Sequence, residues 1–487
     1  MDVQRTRDVL VVGGGLIGLT TALVLRHHGV DVTLVEKRAT TSPQPKARRF
    51  NMRSLEVFRE IGLAATVHEA ARDLAQHDHM ATGRTLAEAE QLPLWRPPGS
   101  GASMEVSPEL PCLVAQDVLE PVLRAAAEGA GVDVRFNTPL RSFTQDADGV
   151  VAELDGARLR AAYLVGADGA HSTVRTALGI SRSGRGAIGE PNVNVYFRAD
   201  LADVVRGREF NICQLDHPEA PGALVSVDGR TRWVFMAPGD EVDRDWSTLL
   251  RIALGVPAPD LEILSALAWQ PEMRVADRYS QGRVHLAGDA AHVMPPFAAS
   301  GANTGIVDAH NLGWKLAAVL SGAATPELLD SYDTERRPAG WFAADQSSRR
   351  SRDLAAAPDP TLAHPFVLAA GGFQYPAGAF VGGPAEGGEV EPVTEFAPAG
   401  RVGTRIPHRW LDADRTSSTV DIGGPGWALA VADDPRRWQD NGLPVHRLDV
   451  DFLRAGEGLL LRPDDVVAWR GTDPSAPAAV QEKLLHP

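Results

Sequence analysis

Cysteine is nearly absent from this 487-residue sequence, and no uninterrupted hydrophobic run is long enough to cross a bilayer. The two cysteines, Cys112 and Cys213, lie far apart and form no C-x-x-C pair, which excludes a disulfide reductase and argues against a thiolate metal site. Such sparse cysteine fits a reducing cytosol, so we expect a cytoplasmic protein. An apolar stretch near the N-terminus is broken by three glycines and lacks a cleavage pattern, so a signal peptide is not expected.

Positive charge is also in deficit, because 48 Lys and Arg stand against 63 Asp and Glu and the net charge is −15. No basic run or arginine-rich face offsets this balance. Nucleic acid and anionic membranes are therefore not expected as partners. The length is too great for one core and predicts about two to four domains.

The chain opens with a strand-helix-strand pattern that carries a glycine-rich turn. Residues 8–12 predict a buried strand, and Gly13, Gly15 and Gly18 then form G-x-G-x-x-G at the start of a helix. In such a turn the first glycine permits the tight bend, the second lets backbone approach a pyrophosphate, and the third allows helix–strand packing. Glu36 ends the second strand at the spacing of a ribose-binding carboxylate. The pattern indicates a dinucleotide site for FAD or NAD, and the alternative is a glycine-rich turn without a ligand.

Two further acidic turns favour FAD. Asp168-Gly169 and Gly288-Asp289 each follow a predicted buried strand, and a helix begins near residues 301–304 after a bland Gly- and Pro-containing loop. A single NAD fold does not need two more acidic turns at strand ends, whereas a longer cofactor wrapped by the site does. The alternative for the loop is a plain connector.

The remaining segments divide into helical, strand-rich and loosely patterned parts. Residues 51–64, 116–129 and 304–320 predict helices. Short strands separated by Asp-Gly turns are expected between 133 and 166 and between 190 and 237. Residues 353–400 are rich in Ala, Gly and Pro and predict a linker with loose loops. Residues 401–487 alternate short strands, including 419–422, with little room for helices.

These stretches resemble the class A FAD-dependent aromatic hydroxylases related to p-hydroxybenzoate hydroxylase, and most of all the aromatic polyketide hydroxylases of antibiotic biosynthesis. The resemblance is carried, in the family's order, by the glycine turn and by residues 45–63, 115–123, 166–175, 284–317, 332–338 and 403–411. It covers essentially the whole chain. It implies an α/β fold with a Rossmann-like FAD domain of the glutathione-reductase type, a β-sheet substrate domain and a C-terminal thioredoxin-like domain.

The resemblance also implies domain boundaries. The FAD-binding domain is expected to be discontinuous, over 1–180 and 272–352, with part of 65–110 lining the substrate site. The substrate domain is expected over 181–271 and the thioredoxin-like domain over 401–487. Because that last segment lacks C-x-x-C, we expect a packing role, or a role in a homodimer, instead of redox chemistry.

For the cofactor, the resemblance implies that Asp289 binds the ribityl hydroxyls of FAD. Residues 301–304 would place a helix N-terminus beneath the flavin pyrimidine ring, where a helix dipole stabilises negative charge. His292 is expected to be structural, and Lys46 stands where many relatives carry arginine. The full implied cofactor set is Gly13, Gly15, Leu16, Ile17, Gly18, Glu36, Lys37, Arg48, Gln116, Leu140, Asp168, Gly288, Asp289, Pro296, Gly301, Ala302, Asn303 and Thr304.

The reaction implied by the resemblance needs neither a metal nor a catalytic side chain. NADPH or NADH reduces FAD, dioxygen adds to give the flavin C4a-hydroperoxide, and one oxygen passes to the phenolic ring of a polycyclic, polyketide-like substrate. The candidates for the substrate pocket are Tyr196, Phe197, Trp233, Phe235, Met236 and Pro295. Because side chains alternate along a strand, about half of the strand residues should point away from the pocket.

Two other functions stay open from the sequence. A Baeyer–Villiger type oxygenase acting on a polyketide ketone carries the same motifs and differs only in its product. The alternative that is not an enzyme is a redox-inactive FAD protein that binds a polyketide for transport or assembly. A flavin-dependent halogenase is disfavoured because W-x-W-x-I-P is missing.

Overall fold

The computed structural model describes residues 4–94, 105–257, 260–296, 299–351, 361–383 and 393–487. In chain order, the first strands and helices are β1 (Gln4–Val12), α1 (Leu16–His27), β2 (Val32–Val35), β3 (Arg49–Phe50), α2 (Met52–Glu60), α3 (Ala64–Ala70), β4 (Met80–Gly83), β5 (Glu90–Gln91), β6 (Cys112–Leu113), α4 (Gln116–Gly129), β7 (Asp133–Arg135), β8 (Leu140–Gln145), β9 (Val150–Leu154), β10 (Ala157–Gly166), α5 (Thr173–Ala177), β11 (Arg182–Ala187) and β12 (Asn192–Arg198). Those that follow are α6 (Ala202–Val205), β13 (Ile212–Leu215), β14 (Gly222–Ser226), β15 (Arg232–Pro238), α7 (Trp246–Leu254), β16 (Glu262–Trp269), β17 (Glu272–Ala276), β18 (Ser280–Gln281), β19 (Val284–Leu286), β20 (His292–Val293), α8 (Ser300–Leu320), α9 (Asp330–Ser351), α10 (Phe366–Ala369), β21 (Ala428–Val431), β22 (Val445–Arg447), β23 (Gly458–Leu461), β24 (Val467–Gly471) and α11 (Ala476–Leu485). Across these residues, no helix is long and apolar enough to span a membrane.

A parallel sheet organises the first half of the chain. Strands β19, β10, β1, β2 and β7 are adjacent in that order and run parallel, while β18 is an antiparallel edge and β8 and β9 form an antiparallel extension of β10. Val9, Leu10 and Val11 are fully buried, as expected for a parallel strand that is covered on both faces. The carboxyl ends of β1, β10 and β19 therefore lie side by side, which is where α/β sheets bind ligands.

Two helices beside this sheet determine the geometry at that edge. Helix α1 begins directly after the glycine turn and packs against α8. The close packing requires a glycine, because a Cβ on Gly313 would lie 2.5 Å from Cγ1 of Val24. Helix α9 also packs against α8. Its Glu335 and Arg336 form ion pairs with Lys315 and Asp308 of α8.

A second, seven-stranded sheet has the order β16-β12-β15-β14-β13-β4-β5. Strand β4 comes from the segment 65–110, which looks irregular in the sequence, and pairs in parallel with β13. One face of this sheet packs in a hydrophobic core with α7, and the other face packs on α4 of the first domain. A small sheet, β11-β17-β20, joins the two parts of the molecule.

The C-terminal segment forms a four-stranded sheet in the order β22-β21-β23-β24, in which β21 and β22 are parallel and the other pairs are antiparallel. The expectation of little room for helices is wrong at its end, where α11 spans Ala476–Leu485. The strand expected at 419–422 is also wrong. Thr419–Asp421 form a single 3-10 turn, because Ser418 and Asp421 make a reciprocal capping box that satisfies the local backbone.

Residues 361–383 pack tightly although the sequence predicts a linker over 353–400. Val367 is fully buried and Tyr375 is nearly so. The backbone N–H of Ala379 donates to Oε1 of Glu335 on α9 at 2.7 Å. Residues 352–360 and 384–392 of the expected linker lie outside the described residues.

Candidate functional site

The glycine turn between β1 and α1 needs two of its glycines for internal reasons. Gly13 has φ +116°, and a Cβ there would lie 2.3 Å from the carbonyl oxygen of Ala167. A Cβ on Gly18 would lie 1.8 Å from the carbonyl oxygen of Gly13. The turn and the close helix–strand packing therefore exclude any side chain at these two positions.

Gly15 is different, because the protein itself does not require glycine there. Its φ of −85° and ψ of −174° suit any residue. A Cβ at Gly15 would contact only Oε1 of Glu120, at an ordinary 3.5 Å. A group outside the chain that approaches the backbone at the N-terminus of α1 explains this glycine, and a phosphate is the group that such a helix terminus binds best.

Glu36 is held against the same turn. Its Oε2 accepts a hydrogen bond from the N–H of Gly14 at 2.8 Å, and its Oε1 accepts one from the N–H of Arg38 at 2.8 Å. Each carboxylate oxygen keeps a second lone pair for a hydroxyl donor. Lys37 is exposed beside it, and Leu140 is half-buried at the start of β8. The described geometry at the end of β2 thus suits a ribose.

Glu120, which sequence reasoning missed, completes the start of α1. This buried carboxylate accepts from the N–H of Leu16 at 3.0 Å, from the N–H of Ser42 at 2.8 Å and from Nε2 of Gln116 at 2.6 Å. Gln116 in turn accepts from the N–H of Ala47 at 3.1 Å. A glutamate four residues after Gln116, on the inner face of an amphipathic helix, is the signal that could have revealed it.

Arg48 is a largely buried cation whose guanidinium points toward the second sheet. Its Nη1 donates to the carbonyl oxygens of Ser226 and, at 3.5 Å, Asn211. Burial, together with the charge of Arg49, lowers the pKa of Arg48 to about 9. The implied contact of Arg48 with the cofactor stays a prediction.

Asp168 has a helix-capping role. Its Oδ2 accepts from the N–H groups of Thr173 and Val174, at 2.7 and 3.1 Å, and its Oδ1 accepts from Oγ of Ser172 at 2.5 Å. These bonds satisfy the N-terminus of α5. The implied contact of Asp168 with FAD or NAD(P)H stays a prediction.

Asp289 follows β19 at the same edge of the sheet. The preceding Gly288 has φ +61°, and a Cβ there would lie 2.8 Å from Cγ1 of Ile17. The surrounding protein raises the pKa of Asp289 by desolvation, against the opposing charges of His292 and Lys46, yet the side chain keeps an exposed surface. A carboxylate in a crevice with these properties gains from hydroxyl donors.

The N-terminus of α8 lies next to this turn and is braced by Asn303. The Asn303 side chain accepts from the N–H of Asn51 at 2.9 Å and from Oγ of Ser54 at 2.6 Å, and it donates to the carbonyl oxygens of Ala299 and Arg49. Because both ends of the amide are engaged, only the Asn303 backbone is left for the implied cofactor contact. Gly301, Ala302 and Thr304 are half-buried at the same helix start.

The two prolines before α8 differ in their surroundings. Pro295 is buried, and its carbonyl oxygen accepts from Oγ of Ser347 on α9 at 2.6 Å, whereas Pro296 is exposed. Phe297 and Ala298 lie outside the described residues. His292 is fully buried with its Nε2 2.7 Å from Oδ2 of Asp308, as expected of a structural histidine.

The second sheet divides the substrate candidates by face. Phe197, Trp233 and Phe235 are fully buried in the core with α7, on the side away from the parallel sheet. Strand alternation places Tyr196 and Met236 on the opposite face, which packs toward α4. The three core residues are therefore corrected to structural positions.

A groove of about 530 Å³ lies between this face and the loop after β2. Nη1 of Arg232 contacts Oδ2 of Asp117 at 2.7 Å and the hydroxyl of Tyr196 at 3.4 Å. The groove is lined by Thr40, Thr41, Ser42, Pro43, Gln44, Asp117, Tyr196, Arg198, Arg232 and Leu264. Polar groups and the apolar surfaces of Pro43, Tyr196 and Leu264 contribute to the lining about equally, so the groove suits a ligand that has both polar and aromatic parts.

Known proteins of similar sequence share one family description and one kind of activity. Residues 6–347 match the family described as FAD binding domain. Tetracenomycin B2 monooxygenase-dioxygenase of Streptomyces olivaceus is 39% identical over 536 residues, covering 98% of this chain and 97% of that protein. Aklavinone 12-hydroxylase RdmE of Streptomyces purpurascens is 35% identical over 530 residues, covering 97% of this chain and 96% of that protein.

Solved structures extend the likeness to the whole fold. Aklavinone-11 hydroxylase, in a ternary complex with FAD and aklavinone, superposes with a TM-score of 0.85 at 32% identity, covering 100% of this chain and 99% of that one. The flavin-dependent monooxygenase PieE, in complex with FAD and substrate, gives a TM-score of 0.85 at 28% identity, covering 99% and 100%.

Proposed function

Because the chain belongs to the FAD-binding family of aromatic polyketide hydroxylases, we propose that it hydroxylates a polycyclic phenolic substrate with NAD(P)H and dioxygen. It is a flavin-dependent monooxygenase, and its cofactor is FAD. The observation that carries the proposal is the edge of the parallel sheet, where Gly15, Glu36 and Asp289 follow the carboxyl ends of β1, β2 and β19. We propose that Gly15 approaches the pyrophosphate, that Glu36 binds the ribose and that Asp289 binds the ribityl chain.

When bound, FAD supplies the redox chemistry that takes electrons from NAD(P)H and delivers one atom of dioxygen to the substrate. The protein contributes position and electrostatics. The start of α8 offers backbone N–H groups and the positive end of a helix dipole, which stabilise negative charge beside them. The fold fixes this helix start through Asn303, so the donors are in place before the reaction.

The substrate is proposed to lie between this helix start and the FAD-facing side of the second sheet. Met236 is paired across the sheet with Ala223 on one side and Asn194 on the other, so the three side chains share that face. A thioether beside a methyl group suits a flat aromatic ring, because methionine adapts to the ring surface. Pro295 is proposed to form the wall on the side of α8.

The groove along residues 40–44 is proposed to receive the reductant. Arg198 lies at the surface 3.4 Å from Glu262 and can rotate toward phosphate oxygens, whereas Arg232 is held by Asp117 and Asp228. The adjoining loop reaches the start of α1 through Ser42 and Glu120, so a nucleotide in the groove would lie close to FAD.

The C-terminal segment is proposed to be a thioredoxin-like domain with a supporting role. Its strand order, with the first two strands parallel at the centre and edge and two antiparallel strands following, supports that assignment. Without C-x-x-C it has no dithiol chemistry, and the ion pairs that it makes with α2 and α9 support a mechanical function.

Met236 and Phe235 are adjacent in sequence and provide a matched pair for locating the substrate. Met236→Ala is expected to raise KM for the aromatic substrate with little change in thermal stability, because Met236 is half-buried on the proposed substrate face. Phe235→Ala is expected to lower the free energy of unfolding by about 3–5 kcal/mol, as for other fully buried aromatic residues. Steady-state kinetics and thermal unfolding measure both, and an unchanged KM in Met236→Ala would place the substrate elsewhere.

The proposed reaction is tested by NAD(P)H oxidation with FAD-loaded protein in the presence of a panel of polycyclic phenols and anthraquinones. Oxidation stimulated by one panel member, with a product heavier by one oxygen, is the expected result. NMR of that product separates a new ring hydroxyl from the inserted ester oxygen of a Baeyer–Villiger reaction. A panel member that binds without any flavin reduction by NAD(P)H would instead support a redox-inactive binding protein.

A further inference from the structure

A buried ion pair lies behind the two segments assigned to the flavin, which are the turn that carries Asp289 and the N-terminus of α8. Asp308 on α8 and Arg336 on α9 join through Oδ1 and Nε at 2.9 Å. The Asp308 side chain has no exposed surface, and that of Arg336 is 5% exposed. Asp308 lies two turns into α8, so the pair sits beneath the helix start without lining the crevice.

Each member of the pair binds the backbone of a different segment, Asp308 that of the Asp289 turn and Arg336 that of α8 near its start. Oδ2 of Asp308 accepts from the N–H of Gly288 at 3.1 Å and contacts Nε2 of His292 at 2.7 Å, which fixes both ends of the turn that carries Asp289. Nη2 of Arg336 donates to the carbonyl oxygen of Thr304 at 3.2 Å, in the first turn of α8.

The remaining contact orients Arg336. Its Nη1 donates to the hydroxyl of Tyr375 at 3.0 Å. With Asp308 on Nε and Thr304 on Nη2, the three nitrogens of the guanidinium have separate partners, so its plane is fixed. A lysine, with one compact ammonium group, cannot reproduce this planar arrangement.

Stability alone does not account for such a pair. Replacing buried ion pairs by well-packed apolar residues is often neutral or stabilising, because the cost of desolvating both charges is large. A pair that links two separate binding segments has a different use, because it sets the distance between them.

We propose that Asp308 and Arg336 are positioning residues that hold the Asp289 turn and the N-terminus of α8 in register for the flavin. The inference rests on the proposed FAD-dependent function. Neither side chain touches the flavin. Asp308 places Asp289 through the Gly288 amide, and Arg336 places the helix start through the Thr304 carbonyl.

The test compares Arg336→Gln and Asp308→Asn with Arg337→Gln in the full-length enzyme. Arg337 is the adjacent arginine on α9, and its partner Asp333 lies 3.3 Å away at the surface. Arg336→Gln and Asp308→Asn are expected to weaken FAD binding roughly ten- to hundredfold, the loss seen when outer-shell supports of metal-binding groups are removed. They are also expected to shift the flavin midpoint potential and the visible flavin spectrum, whereas Arg337→Gln changes none of these.

Arg336→Lys keeps the charge and covers the case in which the neutral variants do not fold. Its FAD affinity is expected to fall between those of wild type and Arg336→Gln, with the potential shifted in the same direction. FAD affinity, spectrum and potential equal to those of wild type in folded variants would overturn the positioning role. Failure of the wild-type protein to bind FAD would instead overturn the proposed function.

Discussion

Gly15→Ala is expected to leave the fold intact and to weaken FAD binding roughly 5- to 150-fold, which corresponds to about 1–3 kcal/mol of steric overlap. The backbone angles at Gly15 suit alanine, and the new Cβ would contact only Glu120 at 3.5 Å. Alanine is a poorer N-cap than glycine, but it also restricts the unfolded chain, so the free energy of unfolding without FAD should stay within about 1 kcal/mol of wild type. Fluorescence titration with FAD and thermal unfolding of the FAD-free protein measure the two effects.

Gly18→Ala is the matched control within the same turn. Its Cβ would lie 1.8 Å from the carbonyl oxygen of Gly13, so the folded protein should not accumulate. The contrast between the two variants separates a glycine that the ligand requires from a glycine that the fold requires. Wild-type FAD affinity in Gly15→Ala would contradict the placement of the pyrophosphate at this turn.

Glu335→Gln is expected to lower the free energy of unfolding by about 3–5 kcal/mol, the cost typical of removing one partner from a buried ion pair. Glu335 has no exposed surface and accepts from both terminal nitrogens of Arg462, at 2.7 and 2.9 Å, and from Nζ of Lys315 at 2.9 Å. Glutamine keeps the volume of the side chain but leaves Lys315 buried beside Asn311 as its other polar contact.

The effect of Glu335→Gln should depend on pH. Burial lowers the pKa of Lys315 to about 8 even with Glu335 in place, and the variant lowers it further. Above the folded-state pKa of Lys315, the unfolded chain binds more protons than the folded chain, so the free energy of unfolding rises with pH. This rise begins near pH 8 in wild type and at a lower pH in the variant. The defect is therefore expected to be larger at neutral pH than above about pH 8, as measured by denaturant unfolding.

Glu153→Gln is the control for Glu335→Gln. Glu153 and Arg158 pair at 2.9 Å with both side chains about half exposed, so this variant should change stability by less than about 1 kcal/mol. An equal, small effect in both variants would contradict a supporting role for the ion pairs between α9 and the C-terminal domain. Those pairs continue through Asp464, which contacts Arg462 at 2.5 Å and Asn311 at 2.9 Å.

Local patterns in the sequence predict much of the fold because their causes are local. The amphipathic spacing over 116–129 predicts a helix, and α4 spans Gln116–Gly129. The glycine turn and the apolar run before it predict β1 and α1, since backbone angles and burial are both encoded there. The family resemblance, which rests on such motifs, predicts the cofactor correctly.

Long-range partners are what the sequence does not show. The pattern of 190–237 predicts strands but does not show which face of each strand packs against the rest of the protein. Phe197 and Phe235 are therefore substrate candidates from the sequence, and the structure shows that α7 covers them. Asn303 lies in a cofactor motif, yet its side chain braces Asn51, which is about 250 residues earlier in the chain. Glu120 binds the N–H groups of Leu16 and Ser42, which are 104 and 78 residues away, and Asp308 binds the N–H of Gly288, which is 20 residues away. No local spacing identifies these partners.

Transfer of one atom of dioxygen to an aromatic ring is the proposed reaction on which the other expectations depend. Its most direct test is the mass of the product formed by FAD-loaded protein with NAD(P)H, a stimulating polycyclic phenol and dioxygen labelled with heavy oxygen. One labelled oxygen atom is expected in the product, located by NMR as a new ring hydroxyl. An unlabelled product, or NAD(P)H oxidation that yields only hydrogen peroxide with every phenol that binds, would contradict it.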